Sequence, residues 1–280
     1  MRAPFSRVSR YLGAASLALA ALAATTAAPF GAAGPTIPFP SPGLAPPGAN
    51  DFSCRPSHAR PFPVVLVHGT FEDMTVSWNL ISPALKSQGY CVFALDYGFR
   101  GTAPVEDSAR QLAAFVDRVL AATRESKVLM VGHSQGGMMP RYYMRFLGGA
   151  SKVEGLVGLV PSNHGTTSAG APFVAMASCP SCAEQEAGSA FLQRLNAGFE
   201  TYARIGYTVV TTIHDEVVTP YTSALLSGSS VTNVVVQTDC PLDPSEHIAI
   251  QYDLVALQWV ENALARGGRA DPRFTPTCVP

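Results

Sequence analysis

The sequence predicts an α/β protein with a mostly parallel sheet of about six strands and helices on both faces, and three observations support this. From residue 63 onwards, short runs rich in β-branched and apolar residues alternate with segments of helical periodicity. Most of the short runs lack polar alternation, which is typical of strands covered on both faces by helices. The chain of 280 residues, 47% of them hydrophobic, is long enough to bury a large core.

The individual elements follow from these runs. The predicted strands are Pro63–Val67, Tyr90–Leu95, Lys127–Val131, Val153–Val160, Tyr207–Ile213 and Val231–Gln237. The predicted helices are Val105–Ala122, Gln135–Leu147 and His247–Ala265. In the first helix, Leu112, Val116 and Val119 recur at a spacing that places them on one apolar stripe.

One segment, residues 168–206, interrupts the alternation. It follows the fourth strand, has no strand of its own and is too long for an ordinary connection. The segment is therefore predicted to be a cap or lid. Its apolar residues either line a substrate groove or fix the segment to the core: Phe173, Met176, Phe191, Leu192 and Leu195.

The N-terminal residues predict export. Arg2, Arg7 and Arg10 precede an apolar stretch of about 14 residues, Tyr11–Ala24, which is too short to cross a bilayer. A small-residue run follows, so residues 1–28 are predicted to be a signal peptide that is cleaved between residues 27 and 33. Residues 29–50 are rich in proline and are predicted to be an extended linker. The folded catalytic domain is then expected to cover residues 51–280.

Charge and composition exclude several classes of protein. Charged residues make up 14% of the chain, which is too few for a disordered acidic chain or a coiled coil. The formal net charge is −1, so nothing in the charge balance favours binding to nucleic acid. No stretch after the signal peptide is long enough to be an integral membrane span.

The six cysteines lie in the part of the chain that is predicted to be exported: Cys54, Cys91, Cys179, Cys182, Cys240 and Cys278. An even number in an oxidising compartment predicts disulfides, although six cysteines allow 15 pairings. The sequence from Cys179 to Cys182 could also be a redox or metal motif. It follows no predicted strand and has no second ligand pair at zinc spacing, which favours a structural bridge. No metal site and no cofactor are predicted.

The clearest chemical motif is Gly-His-Ser-Gln-Gly at residues 132–136, which directly follows one predicted strand and directly precedes a helix. A serine in such a tight turn is pushed out of the backbone, and the flanking glycines allow the close approach that the turn requires. Ser134 is therefore predicted to be a nucleophile.

A serine hydroxyl is a poor nucleophile unless a base takes its proton, and an acid orients that base. In chain order the acid is expected to follow the serine, and the histidine to follow the acid. The histidines are His58, His68, His133, His164, His214 and His247. His247 comes after the last predicted strand and is expected to be the base. Asp215 ends the fifth strand and is the preferred acid over Glu216, Asp239 and Asp243.

An anionic intermediate also needs hydrogen-bond donors. One is expected to be the backbone N–H of Gln135, the residue after the nucleophile. The other is expected from the loop after the first strand, His68-Gly69-Thr70-Phe71.

Together the motifs VVLVHGT, GHSQGG, DEVVTP and SEHIAI resemble the secreted bacterial triacylglycerol lipases of the α/β-hydrolase superfamily, over about Cys54 to Cys278. The threonine after His-Gly, the SQGG turn and the acid loop also resemble the fungal lipase B type. This resemblance implies an α/β-hydrolase fold and assigns an oxyanion-hole role to Thr70. It also implies the pairs Cys54–Cys91 and Cys240–Cys278, which leaves Cys179–Cys182 as a third pair without a counterpart in that family.

The expected function is a secreted serine lipase or carboxylesterase, with Ser134, His247 and Asp215 as its catalytic triad. Its substrate is expected to be a lipid or a small ester, with at most transient contact with a lipid interface. One alternative is a secreted acyltransferase acting on cell-envelope alcohols. Another is a non-catalytic binding module, which the presence of all three triad candidates disfavours.

Overall fold

One sheet of six parallel strands organises the described part of the chain, in the order β2-β1-β3-β4-β5-β6. The structure is a computed structural model, and it describes residues 43–168 and 179–278. The strands are β1 (Val64–Val67), β2 (Val92–Leu95), β3 (Val128–His133), β4 (Val153–Leu159), β5 (Gly206–Thr211) and β6 (Val231–Val235). Every neighbouring pair is parallel. The predicted fold class is therefore confirmed.

Helices connect the strands. Within the described residues they are α1 (Met74–Ser77), α2 (Ile81–Ser87), α3 (Gly98–Gly101), α4 (Val105–Thr123), α5 (Gln135–Phe146), α6 (Pro180–Glu184), α7 (Ala190–Asn196), α8 (Val236–Asp239) and α9 (Leu254–Leu264). Helices α4 and α5 agree closely with the predicted ones. The short helices around the strand ends were not predicted, because they are too brief to show a periodic pattern.

Two hydrophobic clusters lie on the two faces of the sheet, and successive residues of β1 alternate between them. Val65 and Val67 pack in the cluster that contains the buried residues of α4 and α5. Val64 and Leu66 pack in the cluster that contains those of α2 and α9. Both faces of the central strands are thus buried, which explains why these strands lack polar alternation.

The predicted helix from His247 to Ala265 is wrong at its beginning. Asp253 has an extended backbone with φ −83° and ψ 132°, and its side chain accepts a hydrogen bond from Ala256 N–H as the N-cap of α9. An aspartate that bonds its own following backbone ends the preceding turn and begins a new helix. His247 therefore lies in a loop ahead of a short 3₁₀ turn, Ala249–Tyr252.

The chain contacts the sheet earlier than residue 51. Ala49 pairs with Val92 on the edge strand β2. The Asn50 side chain exchanges two hydrogen bonds with the backbone of Ala94, both 2.9 Å long. Residues 49 and 50 of the predicted linker therefore cover the sheet edge and belong to the fold. The predicted signal peptide and residues 29–42 lie outside the described residues.

The described part of the predicted cap, residues 179–206, contains α6 and α7. Phe191 is 6% exposed and stacks on Tyr142 of α5 with ring centroids 5.6 Å apart. Leu192 and Leu195 are in the same cluster. These side chains fix α7 to α5, the helix that follows Ser134, whereas Phe173 and Met176 belong to the undescribed part of the cap.

The structure contains the disulfides Cys54–Cys91, Cys179–Cys182 and Cys240–Cys278. Over the described ranges, no helix combines the length and the apolar character that crossing a membrane requires.

Candidate active site

Ser134 lies in the sharp turn between β3 and α5. Its φ is 52° and its ψ is −122°, a conformation that non-glycine residues rarely adopt. The flanking glycines make the turn possible: a Cβ on Gly132 would lie 1.9 Å from Gly136 O, and a Cβ on Gly136 would lie 2.1 Å from Val67 O. The strained turn holds the Ser134 side chain at the carboxyl end of the sheet.

His247 and Asp215 are in direct contact. The Asp215 carboxylate follows β5, and its Oδ1 lies 2.9 Å from His247 Nδ1. The same oxygen accepts hydrogen bonds from the backbone N–H groups of Val217 and Val218, at 3.0 and 2.8 Å. Both side chains are buried. Because Oδ1 is acceptor-only, His247 carries its proton on Nδ1, which leaves Nε2 as the ring's lone-pair nitrogen.

The rival acids have other partners. Asp243 Oδ1 accepts the backbone N–H of Ser245. Glu216 interacts with Glu246, and burial together with that neighbouring carboxylate raises the pKa of Glu216. His214, beside Asp215 in the chain, is exposed. The geometry therefore selects Asp215 among the sequence candidates.

A cavity of about 340 Å³ opens at this end of the sheet, and both Ser134 and His247 line it. Apolar side chains of Val217, Val218 and Ile248 contribute to its wall. Ligand sites in open α/β sheets commonly lie outside the carboxyl ends of the strands. The cavity can hold a small ester next to the serine. Phe191 lies away from it, in the core described above.

Thr70, which follows β1, also lines the cavity. Its hydroxyl donates to Gln135 Oε1 at 2.7 Å and accepts from Gln185 Nε2 at 3.0 Å. The N–H of Gln135 is the first of α5 and has no partner within the helix. The structure thus brings Thr70 and Gln135, the two predicted oxyanion donors, together beside Ser134.

Two residues at the site were missed by the sequence reasoning. Glu72 and His133 also line the cavity, and Glu72 Oε2 lies 3.0 Å from His133 Nδ1. Burial by itself would raise the pKa of Glu72, but His133 and the Gly69 N–H lower it overall to about 2. The position of His133 directly before Ser134 was a signal in the sequence, but its partner Glu72 cannot be found from sequence spacing.

The histidine of the His-Gly motif, His68, has a structural role. His68 is fully buried, stacks on Tyr97 at 4.3 Å between ring centroids, and its Nδ1 lies 2.7 Å from Gly69 O. Burial lowers the pKa of His68 despite nearby carboxylates, so its ring is neutral. Its role is to shape the loop that carries Thr70.

A metal centre has no candidate in the described ranges, where no three His, Cys, Asp or Glu side chains are grouped to hold an ion.

Comparison with known proteins identifies a family for most of the chain. The family described as Lipase (class 2) matches residues 61–260. Triacylglycerol lipases from Pseudarthrobacter phenanthrenivorans and Burkholderia plantarii are each 39% identical over 87 residues, which is 29% of this chain. That aligned segment covers 27% and 24% of the two relatives, so the chain spans about a quarter of their length.

Solved structures share the fold. Aspergillus fumigatus lipase B has a TM-score of 0.70 at 23% identity, covering 81% of this chain and 57% of that one. Mature Bacillus licheniformis lipase BlEst2 has a TM-score of 0.59 at 16% identity, covering 75% of this chain and 94% of that one. At these identities the likeness establishes the α/β-hydrolase fold alone.

Proposed function

The chain belongs to the class 2 lipase family, and from this premise we propose that it is a serine hydrolase that cleaves acyl esters, acylglycerols in particular. The observation that carries the proposal is the contact between Asp215 and His247 at a cavity that Ser134 also lines. The relatives named as triacylglycerol lipases support the substrate class.

In the proposed mechanism, Ser134 Oγ attacks the ester carbonyl carbon while His247 Nε2 takes the hydroxyl proton. The tetrahedral intermediate collapses, the bond to the alcohol oxygen breaks, and His247 returns the proton to that oxygen. Water then attacks the acyl-enzyme by the same route, which releases the acid and restores Ser134. Asp215 keeps the imidazole in the required tautomer and stabilises its cation.

The negative charge on the intermediate is proposed to be bound by the backbone N–H groups of Thr70 and Gln135. The Thr70 hydroxyl donates its hydrogen bond to Gln135 Oε1, and rotation about the Cβ–Oγ1 bond turns the hydrogen towards the intermediate instead. Gln185 holds the hydroxyl oxygen from the other side during such a rotation. The hydroxyl is therefore proposed as a third donor.

We also propose export and a domain organisation that differs from the sequence prediction only at the end of the linker: a signal peptide over 1–28, a linker that ends before residue 49, and a catalytic domain that includes residues 49 and 50 and the cap segment 168–206. The three disulfides support an oxidising compartment. The proposed partner is the lipid or ester substrate, with no nucleic acid and no cofactor.

The test is hydrolysis of p-nitrophenyl esters with acyl chains from C2 to C16, below and above their solubility. Ser134→Ala should lower kcat by about 10⁴-fold or more, because triad members act as a unit. A serine-directed phosphonate should label Ser134, as located by peptide mass spectrometry. His214→Gln, an exposed histidine beside Asp215, is the control and should keep the wild-type rate. Near-full activity in Ser134→Ala would refute the proposal.

A further inference from the structure

Glu72 is a largely buried carboxylate, with 12% of its side chain exposed, and its hydrogen bonds reach several segments around the site. Its Oε2 accepts the Gly69 N–H at 2.7 Å, the Ser77 hydroxyl at 3.0 Å and His133 Nδ1 at 3.0 Å. Its Oε1 accepts from Gln251 Nε2 at 2.7 Å. The carboxylate therefore joins the oxyanion loop, the turn that carries the nucleophile and the segment after His247.

His133 is the next member of this network and is 1% exposed. Its Nδ1 faces Glu72 Oε2, and its Nε2 lies 2.8 Å from the backbone carbonyl oxygen of His247. A neutral imidazole has one N–H, yet both of these oxygens are acceptors. Because Glu72 Oε2 already accepts an N–H and an O–H, it is ionised, and His133 carries a proton on both nitrogens.

We propose that Glu72 and His133 form a largely buried ion pair that positions the main chain of His247 for proton transfer from Ser134. This inference rests on the function proposed above and adds two positioning residues to it. His133 directly precedes Ser134 in the chain, so its bond to the His247 carbonyl fixes the nucleophile and the base relative to each other. Small displacements of reacting groups lower reaction rates by large factors, so this hydrogen bond is expected to increase the rate by holding the two groups in place.

The electrostatics agree with the geometry. Burial by itself would lower the pKa of His133, but the Glu72 charge and hydrogen bond and the His247 carbonyl raise it overall. The other titratable groups that face His133 are His247, with ring centroids 5.0 Å apart, and Asp215. Glu72 in turn faces His68, which is neutral.

The sign of the pH dependence follows from these directions. The raised pKa of His133 means that the ion pair is complete at lower pH and is lost as pH rises through that pKa. Glu72, with a pKa of about 2, stays ionised throughout the working range. When His133 loses this proton, one ring nitrogen presents a lone pair to an acceptor oxygen, either Glu72 Oε2 or the His247 carbonyl, and that hydrogen bond is lost. We therefore expect kcat to fall as the pH rises through the pKa of His133.

Two amide substitutions separate the two bonds of His133. His133→Gln keeps a donor near the Nε2 position, towards the His247 carbonyl, and cannot titrate. His133→Asn keeps a donor near the Nδ1 position, towards Glu72, and loses the hydrogen bond to the His247 carbonyl. We expect His133→Asn to lower kcat by about 10²-fold with little change in KM. His133→Gln should lose less and should lack the alkaline fall.

Glu72→Gln tests the charge. Without the carboxylate the pKa of His133 is no longer raised, so the alkaline fall in kcat should move to lower pH. His164→Gln is the matched control, since it removes a histidine–glutamate contact of 2.8 Å with Glu200 that lies away from the cavity. It should leave kcat and the pH profile unchanged. Ser134→Ala supplies the blank for spontaneous ester hydrolysis at high pH.

A spectroscopic measurement on the wild-type protein tests the proposal without requiring any variant to fold. The ¹⁵N resonances of the His133 ring should show both nitrogens protonated at neutral pH. A single ring proton on His133, or wild-type kcat and pH profile in His133→Asn, would overturn the proposal. Either result alongside an inactive Ser134→Ala leaves the hydrolase function standing, whereas an active Ser134→Ala refutes that function itself.

Discussion

Replacing Asp215 by Asn should reduce the rate by an amount that the structure sets. Asp215 Oδ1 accepts three N–H groups, whereas its buried Oδ2 has no hydrogen-bond partner among the described residues. An asparagine will therefore place its carbonyl oxygen where Oδ1 lies, because its NH₂ group there would face three donors. The hydrogen bond to His247 and the tautomer of its ring are then kept.

What Asp215→Asn removes is the negative charge beside the imidazolium that forms in the proposed mechanism. Two unit charges at roughly 4 Å with an effective dielectric constant of about 20 interact by about 4 kcal/mol. At 1.36 kcal/mol for each factor of ten, this gives a loss of about 10³-fold in kcat. When the replacement also imposes the wrong tautomer, as in the worked serine-protease case, the loss is about 10⁴-fold.

The assay is kcat for p-nitrophenyl butyrate at saturating substrate, with thermal unfolding measured in parallel to show that the fold is kept. His214→Gln, which changes the exposed side chain directly before Asp215 in the chain, is the control and should keep the wild-type rate. A loss below tenfold in Asp215→Asn would mean that Asp215 does not stabilise the cation. A loss as large as that of Ser134→Ala would mean that the asparagine flips, and would refute the hydrogen-bond argument.

Three further outcomes are expected. Thr70→Val should lower kcat by about 10²-fold with KM nearly unchanged, and a single-turnover loss below fivefold would leave only the backbone donors in the oxyanion hole. Cys54 and Cys91 are separated by 37 residues, and replacing both by alanine should lower the free energy of unfolding in urea by about 3–4 kcal/mol on the chain-entropy estimate. Cys179 and Cys182 are separated by only 3, so the same replacement there should change the free energy of unfolding little. Phe191→Ala should destabilise the fold by about 3–5 kcal/mol without changing the preference for acyl chain length, because the ring packs in the core; a shifted preference profile would show that it reaches substrate.

The sequence predicted the central elements well because their signals are local. The strand before Ser134 and the helix after it were expected at 127–131 and 135–147, and the structure has them at Val128–His133 and Gln135–Phe146. The start of the final helix was wrong because Asp253 competes for the backbone as a cap, and the apolar pattern continues across it. Capping chemistry at one residue outweighs periodicity there.

The sequence by itself determined the fold class and the residue types of the site, since a buried parallel sheet and a tight serine turn each leave a pattern in consecutive residues. Only the tertiary structure decided which acid meets His247, because Asp215 and its rivals all lie between the serine and the histidine in the chain and differ in where their side chains point. Only it showed that His133 bonds Glu72 and the carbonyl of His247, across 61 and 114 residues. Hydrogen bonds over such separations depend on how the strands and loops assemble in space, and the spacing of neighbouring residues in the sequence does not predict that assembly.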